Sequence, residues 1–170
     1  QDNATAEAVI RWLREHTAAH LHVDLIAGLP GEDLASFAAG FDRLVALNPH
    51  EIQVGLLKRL RGAPIARHTA QFGMVYDTAP PYQVMQTGAL DAGTVQRLVR
   101  FARYWDLVAN SGRFAHTLPL VLADAPFGRF MEFADWLHAA CGQTHSIAIE
   151  RLYELAHRWL VEKGLLKLQE

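Results

Sequence analysis

His22-Val23-Asp24-Leu25-Ile26-Ala27-Gly28-Leu29-Pro30-Gly31-Glu32 runs an apolar strand directly into a Gly-Pro-Gly turn, with an acidic residue at the start of the helix that follows. The glycines let the chain turn where a Cβ would obstruct it, and Pro30 fixes φ between them. Such a loop places approachable backbone at the carboxyl end of a strand, where open and closed α/β sheets bind their ligands. The same pattern also serves as an ordinary strand-to-helix connection.

Working outward, residues 4 to 18 read as a helix with Val9, Ile10, Leu13 and Ala18 near one face. His20 to Ala27 reads as a strand whose nearly continuous apolar core fits cover on both faces, as in parallel sheets. Glu32 to Leu47 carries Leu34, Phe37, Phe41, Leu44 and Val45 at helical spacing, Asn48-Pro49 stops it, and Glu51 to Leu57 forms the next strand. Helix, strand, helix, strand is the βαβ unit of a parallel sheet.

Beyond Gly62 the pattern changes. Ala63 to Phe72 reads as a short helix ended by Gly73, with short strands expected at Met74 to Tyr76 and Tyr82 to Gln86. From Asp91 the chain turns helical, with segments at Asp91 to Ala109, Phe114 to Ala123, Pro126 to Cys141 and Ser146 to Lys163; Gly112, Gly142 and Gly164 provide stops. Core stripes are Val95, Leu98, Phe101, Ala102 and Trp105, and Phe127, Phe130, Met131, Ala134 and Leu137. The division falls near residues 77 to 90, so the domains expected are 1–80 and 81–170. The first part has too few strands to close a barrel and leaves two sheet edges to be covered or paired.

Composition narrows the function classes. A chain of 170 residues with 51% hydrophobic content can bury a real core. No apolar run approaches a membrane span and no signal segment opens the sequence, so no membrane span and a cytoplasmic location are expected. The single cysteine, Cys141, forms no internal disulfide framework, and it reads as late-helix core packing. A net charge of −2 offers no basic footprint for nucleic acid, and Lys58-Arg59-Leu60-Arg61 reads as a solvated strand end. G-x-S-x-G, Walker and dinucleotide motifs are lacking, and the nine histidines show no metal-ligand spacing, so no metal ligand and no catalytic residue is assigned.

Over a longer stretch, Val23 to Glu32 resembles the fifth strand and following loop of the radical S-adenosylmethionine (radical SAM) barrel, and Ile52 to Pro64 its sixth strand and exit. Pro81-Tyr82-Gln83-Val84-Met85-Gln86-Thr87 and Asn110-Ser111-Gly112-Arg113-Phe114 resemble the helical C-terminal extension of cobalamin-binding members of that superfamily. The fold this implies is partial α/β, an incomplete TIM-type barrel built of βαβ units, followed by an α-helical C-terminal region. By resemblance, Ile26 and Gly28 flank the adenine of S-adenosylmethionine, and Val54, Gly55 and Leu56 meet the base edge through the strand backbone. Gly31 and Glu32 compete for the family's acidic position after the glycine.

The family holds its 4Fe-4S cluster on a C-x-x-x-C-x-x-C loop, and one cysteine cannot bind such a cluster. The sequence opens at Gln1-Asp2-Asn3 without Met, so it reads as the C-terminal piece of a larger enzyme. S-adenosylmethionine, the cluster and cobalamin are expected of the parent, with none bound to this segment. The partners expected are the N-terminal remainder of the polypeptide, a small-molecule substrate and, through the open edges, a second copy of the fragment. A magnesium-protoporphyrin ester oxidative cyclase is the substrate-level alternative, and a non-catalytic α+β interaction module is the alternative without chemistry.

Two residues carry open alternatives. Asp24, a carboxylate inside an apolar strand, either points toward substrate in a barrel lumen or accepts hydrogen bonds from a loop or an arginine. Arg113 either caps helix carbonyls or pairs with a carboxylate, or it touches substrate.

Overall fold

The computed structural model describes residues 3–166, so Gln1, Asp2 and the last four residues of the expected domains lie outside it. It holds six α-helices and two small sheets in two compact units, which divide at Val95/Gln96. The expected barrel fragment amounts to one parallel strand pair; no barrel forms among the described residues.

In the first unit, α1 (Asn3–His16) precedes β1 (His22–Ala27), α2 (Leu34–Leu47) and β2 (Glu51–Leu56). The expected βαβ unit is present. The strands pair in parallel, with His22 opposite Glu51, Ile26 opposite Gly55 and Ala27 opposite Leu56. α2 begins two residues later than the Glu32 start expected, because Asp33 caps it: its carboxylate accepts from the Ser36 amide at 2.8 Å while Ser36 Oγ lies 3.1 Å from the Asp33 amide, a reciprocal cap. It ends at Asn48, whose left-handed conformation suits an asparagine. Phe37 and Phe41 are fully buried.

Cover on both faces of β1 is not what the fold provides. His22 and Asp24 are exposed, Val23 and Leu25 half-buried, and only Ala27 is buried. Since strand side chains alternate, Val23, Leu25 and Ala27 share the face turned to α2, where Leu25 Cδ1 lies 3.9 Å from the Cβ position of Gly40. On the other face His22 and Asp24 are exposed and Ile26 is half-buried. α1 likewise buries none of its side chains, and Val9 and Trp12 stand at least half exposed.

After a short 3-10 turn at Pro64–His68, where the sequence promised a longer helix, β3 (Val75–Tyr76) and β4 (Val84–Gln86) form an antiparallel ribbon. Met74, Tyr76 and Val84 make its small core, with Leu57 and Phe72 packed against it. The ribbon also joins the end of β2: the Val84 amide donates to the Leu57 carbonyl at 2.8 Å and the Arg59 amide to the Tyr82 carbonyl at 2.9 Å.

α3 (Ala92–Trp105) starts on Asp91, whose carboxylate accepts from the Thr94 amide at 2.7 Å, and runs into a π-helical turn at Asp106–Asn110. The second unit adds α4 (Leu118–Leu122), shorter than the spacing implied, then α5 (Pro126–Cys141) and α6 (Ile149–Glu162). Pro119 sits in the first turn of α4, where a missing N–H costs nothing. The stripes foreseen on α3 and α5 are core, apart from half-buried Ala102; Tyr104 and Phe133 join them. Phe130 meets Phe101 and Trp105 edge-on, at centroid separations of 5.1 and 4.9 Å, the arrangement ring quadrupoles favour.

Candidate functional site

The five residues singled out from the sequence fall at the carboxyl end of the parallel pair and separate by face. Ile26 and Gly55 are register partners on the face away from α2, and Ile26 Cδ1 lies 3.2 Å from where a Cβ on Gly55 would stand. Val54 and Leu56 are buried on the opposite face, so only their main chain could meet a ligand on the open side. Gly28 has φ +85, and a Cβ there would stand 2.7 Å from Val84 Cγ1. The close approach that requires a glycine at this position comes from the protein's own β4.

Glu32 sits below this loop. Burial pushes its carboxyl above the ordinary 4.5, more than the backbone hydrogen bonds at Leu29 and Gly28 pull it down. Its Oε2 is closed from solvent and has no hydrogen-bond partner. Gly31 is exposed, though a Cβ there would stand 3.2 Å from Phe72 Cε1. Of the two competitors for the family's acidic position, Glu32 carries the perturbed carboxyl.

Toward the amino end of the same face lies a polar ladder that sequence reading missed. His22 Nε2 is 2.9 Å from Gln53 Oε1 and 3.2 Å from Asp24 Oδ1, and His22 Nδ1 is 3.3 Å from Glu51 Oε2. Asp24 therefore pairs with a histidine on its own strand, rather than with a loop or an arginine. In-phase parallel register places 22 and 24 beside 51 and 53, so the signal was present but required the register to be known. Across the strand start, the Leu21 amide donates to His50 Nδ1 at 2.8 Å and Arg14 Nη1 lies 2.7 Å from His50 Nε2. Desolvation first, then the nearby Arg14, lowers the His50 pKa from 6.5.

The remaining candidates resolve structurally. Arg59 lies over the Tyr76 ring at 5.1 Å. Arg113 works through its backbone, its amide donating to Ser111 Oγ at 3.3 Å and its carbonyl accepting from Tyr153 Oη at 3.4 Å. Phe114 is buried against Tyr153. Cys141 is only partly buried, contrary to its reading as core, because it ends α5: its thiol donates to the Leu137 carbonyl at 2.9 Å, beside Tyr104 Oη at 3.5 Å. Burial is the first cause raising the Tyr104 hydroxyl pKa.

Among the described residues, no three His, Cys, Asp or Glu side chains are placed to hold a metal ion, and no helix is long and apolar enough to cross a membrane. No curated protein matches the chain significantly. A family model described as "Protein of unknown function (DUF4080)" matches residues 70–170, which takes in the β3–β4 ribbon and the helical unit but not β1 or β2. As that match covers more than half of the sequence, the chain belongs to the DUF4080 family.

Proposed function

We propose that this chain is the C-terminal segment of a cobalamin-dependent radical S-adenosylmethionine enzyme, supplying the adenine side of the cofactor pocket and part of the substrate enclosure. The supporting observation is the pairing of Ile26 with Gly55 at the carboxyl end of two parallel strands, on the face turned away from α2. An apolar side chain beside bare strand backbone offers a platform and hydrogen-bonding edges to a planar heteroaromatic. In this reading Ile26 packs on the base, Gly55 lets it approach the strand, and Val54 and Leu56 contribute main-chain groups. Gly28 shapes the turn, with Val84 as its wall.

The residues present fit the adenine and not the cluster. Cys141 is the only thiol, and it is engaged with the Leu137 carbonyl at 2.9 Å. Cluster and cobalamin therefore belong to the N-terminal remainder of the polypeptide, where the cluster would supply the electron for reductive cleavage.

The contact between Val84 and Gly28 favours a second reading, a non-catalytic α+β module whose strand-end loop is closed by its own ribbon. The two separate on one experiment. The natural longer polypeptide is reconstituted anaerobically with iron and sulfide, and S-adenosylmethionine affinity is measured with and without Ile26→Asn. We expect a bound cluster and an affinity loss of at least tenfold, about 1.4 kcal/mol. No cluster, or affinity unchanged by the substitution, favours the module.

A further inference from the structure

Lys58, Arg59, Arg61 and Arg67 lie in the stretch between β2 and β3, and no Asp or Glu occurs from residue 52 to residue 76. The chain's net charge is −2, so apart from these four cations it stands at −6. Elsewhere nine described Lys and Arg side chains come within 3.8 Å of a carboxylate. None of the four does so among the described residues, and all four are exposed.

A solvated strand end accounts for Lys58 to Arg61 alone, whereas the fold brings Arg67 and His68 to the same end of the sheet. β1 and β2 finish side by side, with Ala27 opposite Leu56. The chain stays extended beyond β2, since the Arg59 amide donates to the Tyr82 carbonyl at 2.9 Å, and alternation sets Arg59 on the side of Gly55, its guanidinium 5.1 Å from the centre of the Tyr76 ring. The far part of the stretch folds back on the loop after β1. Arg67 Nε donates to His68 Nε2 at 3.1 Å, the His68 ring lies 5.9 Å from that of Phe72, and Phe72 Cε1 is the atom 3.2 Å from the Cβ position of Gly31. Cations therefore stand past the ends of both strands, at the end of the sheet where Ile26 and Gly55 pair.

We infer that the stretch between β2 and β3 is an anion-binding rim of the candidate site, and that the substrate carries two or more anionic groups, phosphate or carboxylate. The inference rests on the proposed reading of this end of the sheet as a ligand site, and it names the substrate class. Cations gathered without counter-charge raise the local potential and concentrate anions beside a site. Three of the four are arginines, whose planar fork of donors matches carboxylate and phosphate oxygens. A single anionic group would leave most of this charge unmatched, so the ligand bears more than one.

Calorimetric titration of the 170-residue chain at low ionic strength tests this, with inorganic phosphate, pyrophosphate and citrate as probes. Pyrophosphate or citrate should bind at least tenfold more tightly than phosphate, and the tighter of the two assigns phosphate or carboxylate as the class. Arg59→Gln with Arg67→Gln should weaken that probe at least tenfold, and Arg61→Gln, at an exposed turn, should weaken it at least threefold with the thermal midpoint kept. Arg11→Gln with Arg151→Gln removes the same charge from exposed helix positions and should change the affinity less than twofold. No saturable binding of either multivalent probe overturns the inference, as does an equal loss in the two double variants, which marks a general charge effect. The enzyme reading is tested on a different ligand: anion binding that persists while S-adenosylmethionine affinity of the longer polypeptide ignores Ile26→Asn keeps the rim and sinks that reading.

Discussion

Gly28→Ala is the most direct probe of what the strand-end loop does. At φ +85 an alanine carries the left-handed penalty of about 1–2 kcal/mol. Its methyl would also stand 2.7 Å from Val84 Cγ1, a side chain with no exposed surface, and overpacking of that kind adds about 1–3 kcal/mol. Val84→Ala alone removes two buried methyl groups and should cost about 2 kcal/mol. In the double variant the new methyl enters space that Val84 vacates, so the backbone strain remains and the clash disappears. The combined loss should then fall short of the sum of the single losses by about 1–2 kcal/mol. Urea unfolding of the four proteins measures the coupling. Strict additivity would refute the contact between Gly28 and Val84 as the reason for the glycine. On the same geometry Gly28→Val should harm folding before any cofactor affinity.

Other expectations follow from single contacts. The amides of Ser36 and Thr94 hold the Asp33 and Asp91 carboxyls below the ordinary 3.8, so the stability these contribute is present above that pH and lost as pH falls through their folded values. Asp33→Asn with Asp91→Asn keeps both caps, since asparagine also caps, and should flatten the acid limb of the urea midpoint against pH. Glu32 has the opposite sign: its carboxyl is raised by burial, so its protonated form favours the fold and that advantage fades as pH rises past 4.5. Glu32→Gln should therefore stabilise the protein increasingly toward neutral pH, and a variant less stable at pH 7 would argue that the backbone hydrogen bonds at Leu29 and Gly28 outweigh burial at this carboxyl. Arg97 directs Nε and Nη2 to Asp135 Oδ2 at 2.9 and 2.7 Å, with Arg100 3.8 Å from the other oxygen. At this partly exposed site Asp135→Ala should cost about 1 kcal/mol, read by thermal unfolding, and less at high salt.

Local chemistry alone determined much of the architecture. The apolar run ending at Gly28, the cap pair Asp33 and Ser36, and the stop at Asn48 are each decided by a few neighbouring residues, so the βαβ unit was legible without any tertiary contact. The stripes of α3 and α5 were equally legible, because helical spacing puts Leu98 and Phe101, or Phe130 and Leu137, on one side whatever they pack against. Periodicity could not say what covers a strand: the run 23–27 reads as buried on both faces, yet Asp24 stands exposed and only Ala27 is buried. Nor could it reach pairs distant in the chain. Ile26 beside Gly55, His22 beside Gln53 and Glu51, and Val84 against Gly28 depend on strand register and on the ribbon folding back, and these are set by packing between segments 29 to 56 residues apart. The glycine of the turn was therefore visible in the sequence, while the neighbour that makes it necessary was decided by the tertiary structure, because only there does a side chain 56 positions away come within 2.7 Å of its missing Cβ.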